Sequence, residues 1–169
     1  MNSNTKQSIR LLTFSAVFCA IVYVATTFVR IPVVIGYVHI GDAFIYLAAA
    51  MLPLPYALGI GAVGAGLADL IGYPLYAPGT IIIKMLMVLF FTSKKDKILC
   101  AHNVTAVVPA GVVCVGGYYL YEVILTSSFS APVAGIVFNV AQAAASAVVF
   151  LAVGCAFDKL KLHDRIIKY

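Results

Sequence analysis

The chain runs through one long apolar stretch after another, with most of its charged side chains gathered at the ends of those stretches. No motif in it constrains the fold as strongly as this pattern does. A water-soluble domain carries about a quarter of its residues as charges, whereas here 63% of residues are hydrophobic and 10% are charged. Mean hydropathy is +1.07. The expected environment is therefore a lipid bilayer. Any polar residue left inside an apolar stretch becomes a clue to function, because it is costly in lipid.

A transmembrane helix needs about 20 mostly apolar residues. The 169 residues thus accommodate at most about six to eight spans joined by short loops. We expect one membrane domain over residues 1–169 and no separate soluble domain, since the polar ends, Met1 to Arg10 and Asp158 to Tyr169, are too short to fold alone. The start MNSNTKQSIR followed by an apolar run resembles a signal peptide. The run is long and the chain stays apolar after it, which favours an uncleaved first span.

Proline and glycine punctuate the chain into six expected helices. The first runs from Ser8 to Val29, and the segment RIPVVIGYVHIGD after it is read as a loop that dips into the membrane. A short second helix, Asp42 to Leu52, ends at the turn Pro53 to Pro55, and Asp42 is expected to cap its start. The third, Tyr56 to Ile71, carries Gly59, Gly61, Gly64 and Gly66 and stops at the break Gly72 to Gly79. The fourth, Thr80 to Thr92, precedes the basic loop SKKDK. The fifth spans Val104 to Leu125 and the sixth Val133 to Phe157. The expected fold is an all-α integral membrane protein, a six-transmembrane-helix bundle.

Orientation follows from the basic residues, because Lys and Arg collect in cytoplasmic loops. With N and C termini cytoplasmic, the inner side holds Lys6, Arg10, Lys94, Lys95, Lys97, Lys159, Lys161, Arg165 and Lys168, nine of the eleven Lys and Arg. Only Arg30 then falls outside, and Lys84 lies within the fourth helix. The net charge of +5 reads as membrane topology rather than as a nucleic-acid surface. The four cysteines, at 19, 100, 114 and 155, show no metal-ligand spacing and are expected to act as small hydrophobes.

Several polar residues need an explanation. Asp69, near the outer end of the third helix, and Lys84, in the fourth, lie at similar depth at about 1.5 Å per residue. That depth allows a buried ion pair between them; both are also candidate substrate contacts, with a purely structural pair or a snorkelling lysine as the alternative. Glu122 lies near the outer end of the fifth helix with Tyr118 and Tyr119 four and three residues before it. A carboxylate beside phenol rings suits a flat nitrogen-bearing ring, although belt tyrosines at a membrane interface give the same pattern. Asn139 and Gln142, with Gly135 and Ser146, form a polar stripe at helical spacing that must face protein or a cavity; an interhelical hydrogen bond is the alternative to binding. Tyr37 and His39 in the first outer loop, and Tyr73 and Tyr76 in the second, are placed to close over a ligand. Ala16 and Ala20 form an AxxxA pair in the first helix, which permits close approach of another helix.

Absent motifs narrow the function classes. There is no GxxxxGK[ST] loop, no HExxH and no GxSxG. The histidines are far apart, so neither a metal site nor a cofactor is expected, and no bond chemistry is assigned to this chain.

The whole chain resembles the substrate-binding S components of energy-coupling-factor (ECF) transporters, in particular the riboflavin and hydroxymethylpyrimidine types. The resemblance rests on six short spans, basic cytoplasmic ends, the AxxxA pair, and the segment IGDAFIYLAAAMLPLPYALGIGAVGAGLADLIGYP followed by APGTIIIK with Lys84. It implies a multi-pass protein of the plasma (cell inner) membrane that takes part in vitamin uptake. It implies partners as well: a transmembrane T component driven by two ABC-type ATPases. Ala16 and Ala20 would then lie at the partner interface, and the S component would topple in the membrane to release its ligand inside. Lys84, Glu122 and Asn139 become candidate ligand contacts under lids formed by His39, Tyr73 and Tyr76. Candidate ligands are a pyrimidine, a pyridoxine, a flavin or a queuine-like deazapurine. The rival readings are a stand-alone proton-coupled secondary transporter using Asp69 or Glu122, a membrane enzyme, and an assembly subunit without ligand.

Overall fold

The computed structural model describes residues 3–33 and 37–162. Gly36 of the expected outer loop and the basic residues Arg165 and Lys168 lie outside the described residues. The elements are α1 (Ser3–Thr27), a hairpin of β1 (Arg30–Pro32) and β2 (Tyr37–His39), α2 (Gly41–Met51), α3 (Leu54–Gly72), α4 (Ala77–Val88), α5 (Ala101–Thr126) and α6 (Val133–Lys159). Helices α1, α3, α5 and α6 are long and apolar enough to cross a membrane, whereas α2 and α4 are shorter apolar helices of 11 and 12 residues.

The short helix α2 forms the centre of the bundle and packs against α1, α3, α4 and α6. Every residue of α2 except Phe44 is buried, as expected for a helix that is apolar on all sides. It ends where Leu52 turns extended, the conformation that a following proline imposes, here Pro53. At about 1.5 Å per residue, α2 spans only about half of a bilayer core roughly 30 Å thick. Surrounding helices cover its ends, so its backbone meets protein and not lipid. The outer surface of the bundle is apolar, with Val112 67% and Val148 66% exposed on α5 and α6. This distribution is the reverse of a soluble fold.

Close approach of helices depends on the glycines of α3. A Cβ added at Gly64 would stand 2.9 Å from Val22 Cβ and 3.1 Å from the Cys19 carbonyl of α1, and one added at Gly61 would stand 3.3 Å from the Lys84 carbonyl of α4. Within this stretch, Gly61–Ala65 winds as a π-helical turn, a local widening of the kind often found at functional sites.

Toward the end of the bundle that carries the basic loop, Tyr46 stacks on Phe91 at 4.9 Å, and Phe150 meets both rings edge-on. Asn103 and Asp158 tie the loop itself down. The Asn103 side chain accepts from the Thr92 N–H and donates to the Thr92 and Ile98 carbonyls, and Asp158 accepts from the Ile98 and Leu99 N–H groups. Lys94, Lys95 and Lys97 remain exposed.

Three expectations are corrected. The loop after α1 contains an antiparallel hairpin, with Arg30 opposite His39 and Pro32 opposite Tyr37. Helix α4 begins before Thr80, because Pro78 fits the first helical turn, and it ends at Val88, short of Thr92. Asp42 does not cap α2: Ile40 occupies the cap position without a side-chain bond, and the Asp42 carboxylate turns inward.

Candidate functional site

Most of the polar residues singled out above lie toward one end of the bundle. There the β1–β2 hairpin, the segment between α3 and α4, the end of α5 and the start of α6 surround a cavity of about 50 Å³. Tyr37, His39, Tyr73 and Tyr76 line it from the hairpin and the α3–α4 segment, with Asp69 at the end of α3. Tyr118, Glu122, Asn139 and Gln142 line it from α5 and α6. Small-molecule sites run to roughly 300–1,000 Å³, so this cavity is smaller than the ligands of such sites require. The hairpin and the α3–α4 segment are the parts of the wall not built from long helices.

The aromatic wall is continuous. Tyr37 and Tyr73 lie 5.2 Å apart between ring centroids, Tyr73 and Tyr76 meet edge-on at 6.3 Å, and Tyr37 lies 5.6 Å from the His39 ring. Tyr121 of α5 anchors the α3–α4 segment by donating to the Leu75 carbonyl at 2.7 Å. Its ring passes so close to Gly79 that an added Cβ would stand 2.6 Å away. Burial and the neighbouring Glu122 carboxylate push the Tyr76 phenol up.

Beneath the wall the polar side chains form two linked groups. In the first, Tyr37 and Thr80 hydroxyls both donate to Asp69, and Thr80 also bonds Tyr118 at 2.9 Å. In the second, Lys84 Nζ pairs with Asp42 Oδ1 at 2.7 Å, both side chains fully buried. Gln142 Nε2 donates to Asp42 Oδ2 at 3.0 Å, while Gln142 Oε1 accepts from the His39 backbone N–H at 3.2 Å. His39 Nδ1 accepts from the Gly41 N–H at 3.0 Å. That acceptor role requires an unprotonated ring, and burial lowers the His39 pKa to about 4. The Lys84 ammonium also lies 5.0 Å from the Tyr118 ring centroid, which joins the two groups.

The Asp69–Lys84 ion pair that depth allows is therefore not the one formed. Depth along two helices does not fix which faces meet: Thr80, one turn before Lys84 on α4, is the residue that faces Asp69, and Lys84 reaches across to α2. Lys84 does not line the cavity, and its ammonium is spent on Asp42. Tyr119 does not line it either; its hydroxyl donates to the Phe129 carbonyl at 3.0 Å. Asp42, Thr80 and Cys114 enter the polar network without having been singled out as candidates. Thr80 carried a signal in its position four residues before Lys84, and Asp42 in being an acidic residue at the head of an apolar run. Ala16 and Ala20 lie exposed on α1 and do not line the cavity.

Glu122 differs from the other acidic groups. It is 6% exposed, and its Oε2 has no hydrogen-bond partner. Gly135 on α6 leaves room for it, since a Cβ there would stand 3.1 Å from that oxygen. Among the described residues, no cluster of three or more His, Cys, Asp and Glu side chains is placed to hold a metal ion.

Comparison with known proteins follows the same direction as the geometry. The family model described as ECF-type riboflavin transporter, S component, matches residues 6–159. A protein of Pyrococcus woesei described as an uncharacterized protein in a gap 3′ region is 43% identical over 65 residues, which is 37% of this chain and 44% of that protein. The match thus spans less than half the length of that relative.

Proposed function

The chain belongs to the S-component family of ECF-type riboflavin transporters, and from that premise we propose that it is the substrate-binding membrane subunit of an ATP-driven importer in the plasma membrane. The observation that carries this reading is the cavity. Polar side chains from four elements converge at one end of an apolar bundle, under tyrosines borne on a hairpin and a short segment. Convergent polar groups in an otherwise apolar molecule are how a membrane protein holds a small polar ligand. The ligand class is a vitamin or related heteroaromatic compound, such as a pyrimidine, a pyridoxine, a flavin or a queuine-like base, stacked on the aromatic wall.

In this reading the six helices form one bundle within the bilayer, with both termini inside. The chain binds and hands over its ligand, while a T component and two ABC-type ATPases supply the energy. Ala16 and Ala20 leave a shallow exposed strip on α1 that admits a partner helix. Replacing both with Leu is expected to abolish co-purification of the T component and to leave ligand binding unchanged; undiminished co-purification would remove α1 from the interface.

The direct test is to purify the protein in mild detergent, release any bound small molecule, and identify it by mass spectrometry. A stoichiometric vitamin or base that raises the melting temperature supports the reading. Uptake by this chain alone in liposomes, driven by a pH gradient without ATP, would replace it with the secondary-transporter reading.

A further inference from the structure

The geometry points to a ligand of defined charge: a small nitrogen base, neutral or singly positive, that presents an N–H donor to Glu122, with phosphorylated and carboxylated compounds excluded. This deepens the binding-subunit reading and rests on it.

The inference comes from what lines the cavity and what does not. Two carboxylates face it, Asp69 and Glu122. Among the described residues no lysine or arginine lines it. The nearby cation in the core, Lys84, is already paired with Asp42. Arg30 lies over the Tyr37 ring, 4.9 Å from its centroid, and is not part of the lining. His39 accepts a hydrogen bond at Nδ1 and so contributes no charge. An anion entering this space would meet two like charges in a medium of low dielectric, with no cation among the described lining residues to pair with it.

The two carboxylates differ in what they lack. Asp69 accepts from two hydroxyls, whereas the Glu122 carboxylate interacts with the Tyr76 hydroxyl and keeps a second oxygen, Oε2, buried and unpartnered. A buried acceptor without a donor is costly, and a ligand N–H placed between Glu122 and Asn139 removes that cost. The tyrosine wall suits the same ligand, because the faces of aromatic rings attract cations and flat π systems.

The test is a matched series on the purified full-length protein, read by calorimetry and thermal melting. Pyridoxamine is compared with pyridoxamine phosphate and 4-pyridoxic acid, 4-amino-5-hydroxymethyl-2-methylpyrimidine with its phosphate, and riboflavin with flavin mononucleotide. Within each set whose parent binds, the anionic form is expected to bind at least about tenfold more weakly, the scale of one lost charge-assisted hydrogen bond. Glu122→Gln, which keeps shape and removes charge, is expected to weaken the amino-bearing parent by a similar factor. An anionic form that binds as tightly as its parent overturns the charge rule and leaves the binding-subunit reading intact. Unchanged affinity in Glu122→Gln overturns the role of Glu122. If no compound of any charge binds and the purified protein carries no small molecule, the binding-subunit reading falls and this inference falls with it. The charge series on the wild-type protein needs no variant, so it stands even if Glu122→Gln fails to fold.

Discussion

A lysine sealed inside an apolar bundle must hold its charge against a partner, and here that partner is Asp42 at 2.7 Å. Removing one member strands the other: Lys84→Met is expected to cost about 3–5 kcal/mol, the scale of an orphaned buried charge. The double change Asp42→Asn with Lys84→Met removes both charges and is expected to recover most of that loss. Melting temperatures in detergent check this, and a double variant no more stable than Lys84→Met would show that the pair is not the source of the loss. His39 supplies a second prediction. Its Nδ1 accepts from the Gly41 N–H, and burial, with a smaller push from Lys84 and against the pull of Asp42, lowers its pKa from 6.5 to about 4. The unfolded chain therefore takes up a proton first as the pH falls. Stability is complete above pH 6.5, declines as the pH falls toward 4, and the full loss is about 3 kcal/mol. His39→Asn keeps an acceptor and removes the titration, so its melting temperature should vary less over that range; coincident profiles would clear His39. The sequence made these residues conspicuous because each is polar in an apolar context. It did not show their pairing, since pairing depends on which helix faces meet, and Asp42 looked like an ordinary helix cap.

At the level of elements, the helices were legible from apolar runs and Pro/Gly breaks, to within a few residues at most ends. The hairpin was not. In Arg30–Pro32 and Tyr37–His39 each strand has three residues, too few for an alternating pattern to stand out against an apolar background. Its consequence is functional, because residues two apart on a strand share a face, and that is how Tyr37 and His39 both reach the cavity. The glycines of α3 were legible as packing residues, but the sequence did not say against what. Gly64 is the sharp case. Its missing Cβ would lie 2.9 Å from a side-chain atom and 3.1 Å from a backbone carbonyl of α1, and backbone cannot give way cheaply. Gly64→Ala is expected to destabilise by about 1–3 kcal/mol, the usual cost of overpacking. Gly116→Ala is the control, since an added Cβ there meets nothing within 4 Å; it should be neutral or stabilise by up to about 1 kcal/mol through helix propensity. Similar melting temperatures for the two variants would show that α1 and α3 are not held at this spacing.

For the molecule as a whole, composition alone was enough to place the chain in a bilayer, and the exposed apolar surface of α5 and α6 agrees with it. The direction in which it sits decides whether the cavity serves import. The cavity and the basic loop lie at opposite ends of the bundle, because α4, α5 and α6 run end to end between them. If the loop bearing Lys94, Lys95 and Lys97 is cytoplasmic, as the positive-inside rule requires, the cavity opens outward. Both Lys95 and Ser130 are exposed, one in each end region, and each can report on its side. With the four native cysteines replaced by alanine, Ser130→Cys should react with a membrane-impermeant maleimide in intact cells. Lys95→Cys should react only in inside-out vesicles. The reverse labelling would put the cavity on the cytoplasmic face. An importer subunit cannot first meet its ligand there, so that result would end the uptake reading while leaving the fold and the buried polar network as they are.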